Sequence, residues 1–268
     1  MQLELHHHPA AQSPHQRPPL LFVHGAWHAA WCWDAYFVPY FTAAGFSVYT
    51  ISLRGHGASD GRRRLRWTSI ADYVRDVETT ISRDLPQPPI LIGHSMGGAV
   101  VQKYLERHQL PGAILLASVP PAGVLATTLR IARRHFKEFL QANLTMRLYP
   151  LVSTPALAQE AFFSADMPAD QVLKYFGQIQ DESYRVFLDM LVLNLPKPHR
   201  VTTPVLVLGG AQDRIFFPAE VHATARAYGT TATIFEKTAH DLMLEAGWRA
   251  VADTMIAWIA ARHTAPTA

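Results

Sequence analysis

A mostly parallel α/β sheet flanked by helices, with one inserted helical segment, is the fold this sequence predicts, and three observations predict it. Short apolar runs bounded by turn residues alternate with amphipathic helical stretches. One interval, from about residue 120 to about residue 199, carries helical patterns and no convincing strand. Length and composition suit one large core, since the chain has 268 residues of which 49% are apolar and 17% charged.

The leader, Met1 to Pro19, is rich in His, Pro and Gln and reads as a short edge strand plus a linker. It lacks the apolar stretch of a secretory signal, and no later segment offers the roughly 18 apolar residues of a membrane span, so a cytoplasmic protein is expected. Strands are expected at Leu20 to Val23, Ser47 to Ser52, Ile90 to Ile92, Ala113 to Ala117, Val205 to Leu208 and Thr231 to Phe235. Their length and β-branched content suit burial on both faces.

The clearest helix is Ser69 to Leu85, where Ile70, Val74, Val77, Ile81 and Leu85 share one face behind a Thr68/Ser69 cap. Further helices are expected over Ala99 to His108 and Gly247 to Arg262. Inside the insertion the patterns run over Thr128 to Leu144 and Pro168 to Leu195. Phe136, Phe139, Phe162, Phe163, Phe176, Phe187 and Met190 are expected mainly as that segment's own packing, with a few lining a pocket. The resulting division is a core of residues 1–119 and 200–268 and a helical cap of 120–199.

The formal net charge is +3, with most of the excess in Arg62-Arg63-Arg64-Leu65-Arg66. That run is too small and local for a nucleic-acid footprint and reads as a solvated loop face. The single cysteine, Cys32, excludes an intrachain disulfide and is expected to be buried. His6-His7-His8 has no partners at ligand spacing, so no metal is expected there.

Chemistry concentrates in Gly93-His94-Ser95-Met96-Gly97-Gly98, directly after one strand and directly before a helix. A sharp strand-to-helix turn of the G-x-S-x-G kind exposes a serine in strained backbone, and its neighbours two positions away must be small. Gly93 and Gly97 meet that need. A serine hydroxyl needs a base, and the base needs a carboxylate to hold its tautomer. Asp213, past the strand Val205 to Leu208, and His240, past the next strand, complete the order Ser, Asp, His at the carboxyl ends of strands.

Asp241 adjoins His240 and is expected to point away from its ring. The alternative acid position, Ser118-Val119-Pro120, carries no carboxylate. Oxyanion donors are expected at the backbone of Met96 and of the loop His24-Gly25-Ala26-Trp27, where Gly25 permits the tight turn, Ala26 is the first choice and Trp27 the second. Trp27 and His94 are the candidate substrate contacts, while Trp31 and Trp33 are expected to pack the following helix.

On these residues the chain resembles the α/β-hydrolase superfamily from Pro19 to the C-terminus. Val23-His24-Gly25-Ala26-Trp27-His28 looks like the oxyanion loop of plant methylesterases and hydroxynitrile lyases. Arg54-Gly55-His56-Gly57-Ala58-Ser59 and the Ser95 motif are more similar to bacterial esterases, monoacylglycerol lipases and lysophospholipases. The resemblance implies the α/β-hydrolase fold, a helical cap over the site and an opening strand that is often antiparallel. The expected activity is hydrolysis of a small-molecule carboxylic ester with an apolar part, through an acyl-enzyme on Ser95 and without metal or nucleotide cofactor. Carbon-carbon or cyanohydrin cleavage, or perhydrolysis, would use the same three residues with another pocket. A non-catalytic receptor on the same scaffold would bind a small molecule without turnover.

Overall fold

Short, mainly apolar strands bury both faces, and five of them, adjacent in the sheet, are buried at every position. The computed structural model describes residues 1–11 and 17–263. In chain order the strands and α-helices are β1 (Glu4–His8), β2 (Leu20–Val23), α1 (Phe37–Ala43), β3 (Val48–Ser52), α2 (Ile70–Asp84), β4 (Ile90–His94), α3 (Met96–Leu105) and β5 (Gly112–Leu116). Then come α4 (Leu125–Arg134), α5 (Phe136–Thr145), α6 (Pro155–Phe162), α7 (Ala169–Phe176), α8 (Tyr184–Leu188), β6 (Val205–Gly210), α9 (Pro218–Ala227), β7 (Ala232–Phe235) and α10 (Trp248–His263).

The seven strands form one sheet in the order β1-β3-β2-β4-β5-β6-β7. β1 runs antiparallel to β3, and every other neighbouring pair is parallel. Alternate residues of each strand feed two cores. Leu20, Phe22, Ile92, Ile114 and Leu116 pack with Phe37 and Phe41 of α1 and Met255 and Ile259 of α10. Leu21, Val23, Leu91 and Leu115 pack with Val77 of α2, Val100 of α3 and Val221 of α9. Each such side chain contributes roughly 1.5–3 kcal/mol when fully buried. Two of them outweigh the roughly 1–3 kcal/mol of strain that one left-handed residue stores.

β2 lies between β3 and β4, so the chain moves outward from β2 and then returns to its other side. That reversal opens a crevice at the carboxyl ends of β2 and β4, where Val23 and Gly93 stand in register. Between β5 and β6 the described chain is helical, with no strand, as the sequence implied.

Several elements differ from expectation in detail. The leader's strand is β1, paired antiparallel at the edge; residues 12–16 of the expected linker lie outside the described residues. α3 starts at Met96, three residues early, which places Ser95 at its N-cap. Thr128 to Leu144 is two helices, because His135 (φ −128°, ψ 55°) leaves the helical region and its ring bonds Glu160 at 3.0 Å. Pro168 to Leu195 is likewise divided, with the stretch between α7 and α8 bonded to the core instead. The arginine run forms a single 3-10 turn, Arg62–Trp67, whose arginines are exposed around a buried Leu65. Phe136 is 63% exposed rather than packed. Cys32 is buried. No helix among the described residues is long and apolar enough to cross a membrane.

Candidate active site

Ser95 sits between β4 and α3 with φ 51° and ψ −117°, a conformation that an L-residue adopts only under constraint. The constraint is close packing of backbone. A Cβ on Gly93 would lie 2.5 Å from the carbonyl oxygen of Gly97, and one on Gly97 would lie 2.4 Å from those of Val23 and His24. Both glycines are therefore required by space. Ser95 itself is 8% exposed, its N–H donating to Leu116 and its carbonyl accepting from Gly98 and Val119.

His240, in the loop after β7, is buried and bonded through Nδ1 to Asp213 Oδ2 at 2.8 Å. The other oxygen of Asp213 accepts from the N–H groups of Ile215 and Phe216, at 2.7 and 3.0 Å. A carboxylate so bonded orients the imidazole and leaves Nε2 free for other work. The ring is flanked by Phe216, Phe162 and His94 at centroid distances of 5.6, 6.2 and 4.8 Å. His94 Nε2–H donates to the backbone carbonyl of His240 at 3.1 Å, which ties the residue before Ser95 to the loop of the imidazole. Burial and the facing His240 push His94 down to about 3, so its ring stays neutral.

The loop after β2 is held by two histidines. Leu53 N–H donates to His24 Nε2, so the proton of His24 is on Nδ1, which donates to the carbonyl of Gly25 at 2.8 Å. Burial and the facing His56 keep His24 well below the usual histidine range. In a trans peptide the next N–H points opposite to that carbonyl, so His24 sets the direction of the Ala26 N–H. His28 does the same one residue later: Nδ1–H donates to the Ala26 carbonyl at 2.8 Å and so sets the Trp27 N–H. Met96 is the first residue of α3, where backbone N–H groups lack intrahelical partners.

Gly25 opens the turn, its carbonyl accepting from His28 N–H, and the left-handed conformation in this loop belongs to Trp27, at φ 65°. What demands glycine is proximity, since a Cβ would meet His94 Nδ1 at 2.7 Å and Ser95 Cβ at 3.0 Å. Trp33 is fully buried against Phe22, and Trp31 stacks on His28, so both serve packing.

Asp241 makes no hydrogen bond to the His240 ring and meets a partner that the sequence did not suggest. Its Oδ2 accepts from His28 Nε2 at 2.9 Å, with both side chains fully buried. Burial alone would lower His28, but the charge and hydrogen bond of Asp241 raise it; in return His28 outweighs burial and holds Asp241 low. With acceptors at both nitrogens, His28 is an imidazolium that clamps the β2 loop to the β7 loop. Phe162 joins the same clamp: its carbonyl accepts from Asp241 N–H and its ring meets His28 edge-on at 5.0 Å.

His94, His240 and Asp241 each offer a ligand atom within 4.8 Å of the others, the arrangement a metal would need. One atom of each is committed, His94 Nε2 to the His240 carbonyl, His240 Nδ1 to Asp213 and Asp241 Oδ2 to His28, while His94 Nδ1 and Asp241 Oδ1 have no hydrogen-bond partner among the described residues.

A cavity of about 1240 Å³ lies among α4, α6 and the loop after β6. It reaches the site at Trp27 and Asp213, while Ser95 and His240 are not among its lining residues. Its apolar wall includes Leu151, Leu157, Phe163 and Ile215, and its polar groups include Arg130, Arg133, Arg134 and Arg214.

A family model described as the alpha/beta hydrolase family matches residues 20–254. Among curated proteins, the chain is 31% identical over 110 residues to protein phosphatase methylesterase 1 of Bos taurus, a match covering 40% of this chain and 29% of that one. It is 27% identical over 183 residues to a monoacylglycerol lipase of Mycolicibacterium smegmatis, covering 65% and 63%. It is also 27% identical over 206 residues to a pFDCC methylesterase of Arabidopsis thaliana, covering 73% and 77%. The chain thus spans less than a third of the bovine methylesterase and under two thirds of the mycobacterial lipase. Solved structures share the fold: a monoacylglycerol lipase of Paleococcus ferrophilus has a TM-score of 0.72 at 20% identity, covering 98% of this chain and 100% of that one. An esterase from Exiguobacterium antarcticum has a TM-score of 0.73 at 16% identity, covering 96% and 95%.

Proposed function

This chain belongs to the alpha/beta hydrolase family, and from that premise we propose that it is a serine hydrolase that cleaves carboxylic esters of small molecules with an apolar part. The observation that carries the reading is the 2.8 Å bond from His240 to Asp213, supported by a serine held at φ 51° between β4 and α3. Relatives named as lipases and methylesterases support ester chemistry without naming a substrate for this chain.

In the proposed reaction Ser95 Oγ attacks the ester carbonyl while His240 Nε2 takes its proton. The carbonyl oxygen becomes an oxyanion, met by the N–H of Met96 and that of Ala26 or Trp27; one such donor is worth roughly 3–4 kcal/mol of barrier. Collapse breaks the ester bond, and His240 returns the proton to the departing alkoxide, leaving the acyl group on Ser95. Water then attacks, its proton passing to His240, and the acid leaves as Ser95 is restored. The helices between β5 and β6, residues 120–199, act in this reading as the cap that covers the site.

The test is covalent. A fluorophosphonate should label the wild-type protein stoichiometrically, and Ser95→Ala and His240→Ala should abolish both labelling and ester turnover. Ester hydrolysis that survives purification of the Ser95→Ala protein would overturn the assignment.

A further inference from the structure

We propose that the cavity beside the candidate site selects esters whose apolar body ends in an anionic group, and that Arg133 and Arg214 receive that group. The inference rests on the ester-hydrolase reading and narrows its substrate class.

The charges around the cavity do not cancel. Four guanidiniums, from Arg130, Arg133, Arg134 and Arg214, face two carboxylates, Asp213 and Glu160. Both carboxylates are committed. Asp213 accepts from His240, Ile215 and Phe216. Glu160 bonds Arg134 and His135. Arg130 is taken by Glu220 at 2.8 Å and stacks on Phe217. Arg133 and Arg214 remain, exposed and without an ion pair among the described residues.

The apolar wall of Leu151, Leu157, Phe163 and Ile215 fits an alkyl or aryl body between the reacting carbonyl and the anion. A concave, partly apolar wall with excess positive charge concentrates its field on such an end, whereas a neutral ester gains nothing from it.

The experiment compares two 4-nitrophenyl esters of one acyl length, the hexanoate and the mono-ester of adipic acid, which differ by a terminal carboxylate. Wild-type kcat/KM is expected to favour the adipate ester by about tenfold or more at low salt, and the advantage should shrink at high ionic strength. The double variant Arg133→Gln/Arg214→Gln should lose most of that ratio. Because Arg214 adjoins Asp213, Arg133→Gln alone is measured too, and its ratio should fall between. A wild-type preference for the hexanoate, or a ratio that the variants leave unchanged, overturns the proposal. If neither ester is turned over, the ester-hydrolase reading fails, and the anion site is judged by calorimetric titration with adipate and with phenyl phosphate. Binding of either that is lost in the double variant supports the site and shows whether carboxylate or phosphate is preferred. No binding of either overturns it.

Discussion

His24 carries more of the proposed oxyanion geometry than its place in a loop suggests. Its Nδ1–H grips the Gly25 carbonyl at 2.8 Å, and through that peptide plane it aims the Ala26 N–H. Removing the grip lets the plane rotate without removing any group that touches substrate. His24→Ala is therefore expected to lower kcat about 10- to 100-fold, a fraction of the 10²–10³ lost when an oxyanion donor is deleted, with little change in KM. His24→Asn, whose amide nitrogen can stand near the position of Nδ1, should recover much of that loss. Steady-state kinetics on the two variants decides the matter: equal loss in both, or loss confined to KM, would remove His24 from this role.

The places of Ser95, Asp213 and His240 past the ends of β4, β6 and β7 were legible in the sequence because short apolar runs and glycines mark those strand ends locally. The residues that hold them were not. His28 and Asp241 are 213 positions apart, and no spacing rule links a histidine in one loop to a carboxylate in another that far along the chain. Gly25 shows a subtler limit. Its identity could be read, but the reason lies in His94 and Ser95 across the crevice, which only the folded chain brings near.

At the scale of elements, the insertion between β5 and β6 is fastened by its non-helical stretch. Gln180 donates from its backbone to Trp27 O at 3.0 Å, and its side chain joins Gly55 O and Gly57 N at 3.0 and 2.9 Å. Glu182, 2% exposed, accepts from His56 at 3.0 Å, from the Tyr73 hydroxyl at 2.7 Å and from Ser183 N–H. These bonds explain why the periodicity over Pro168 to Leu195 misled: the pattern suits a helix, but a helix there would strand the buried groups of β3's following loop and α2. Glu182→Ala leaves three donors without their acceptor in a dry site. Removing one partner of a buried charged network costs about 3–5 kcal/mol, and urea unfolding should register a loss in that range. A loss below about 1 kcal/mol would mean that water or rearrangement satisfies those donors and that the stretch is fastened elsewhere.

For the whole molecule, the buried histidines set how stability follows pH, and they pull in opposite directions. His24 and His94 are held below the ordinary histidine value by burial, so the native chain keeps them neutral where the unfolded chain protonates them. Their stabilisation is complete above about pH 6.5, the unfolded value, and drains away as pH falls toward the folded values, which for His94 is about 3. His28 is raised by Asp241 despite its burial, so its contribution is complete below the unfolded value and is lost as pH rises through the folded one. Asp241, held low by His28, keeps its contribution until pH falls through its lowered value. Between pH 6 and 4 the unfolded chain protonates both histidines that the fold holds below their ordinary value. His94, pushed down to about 3, adds a slope of about 1.4 kcal/mol per pH unit once its unfolded form is fully protonated. Urea unfolding at pH 4, 5 and 6 should show stability falling with acid, and His94→Gln, which keeps a donor for the His240 carbonyl, should flatten the slope by about one such increment. A variant profile parallel to that of the wild type would mean that residue 94 takes up its proton within the fold, and the neutral ring beside His240 would have to be given up.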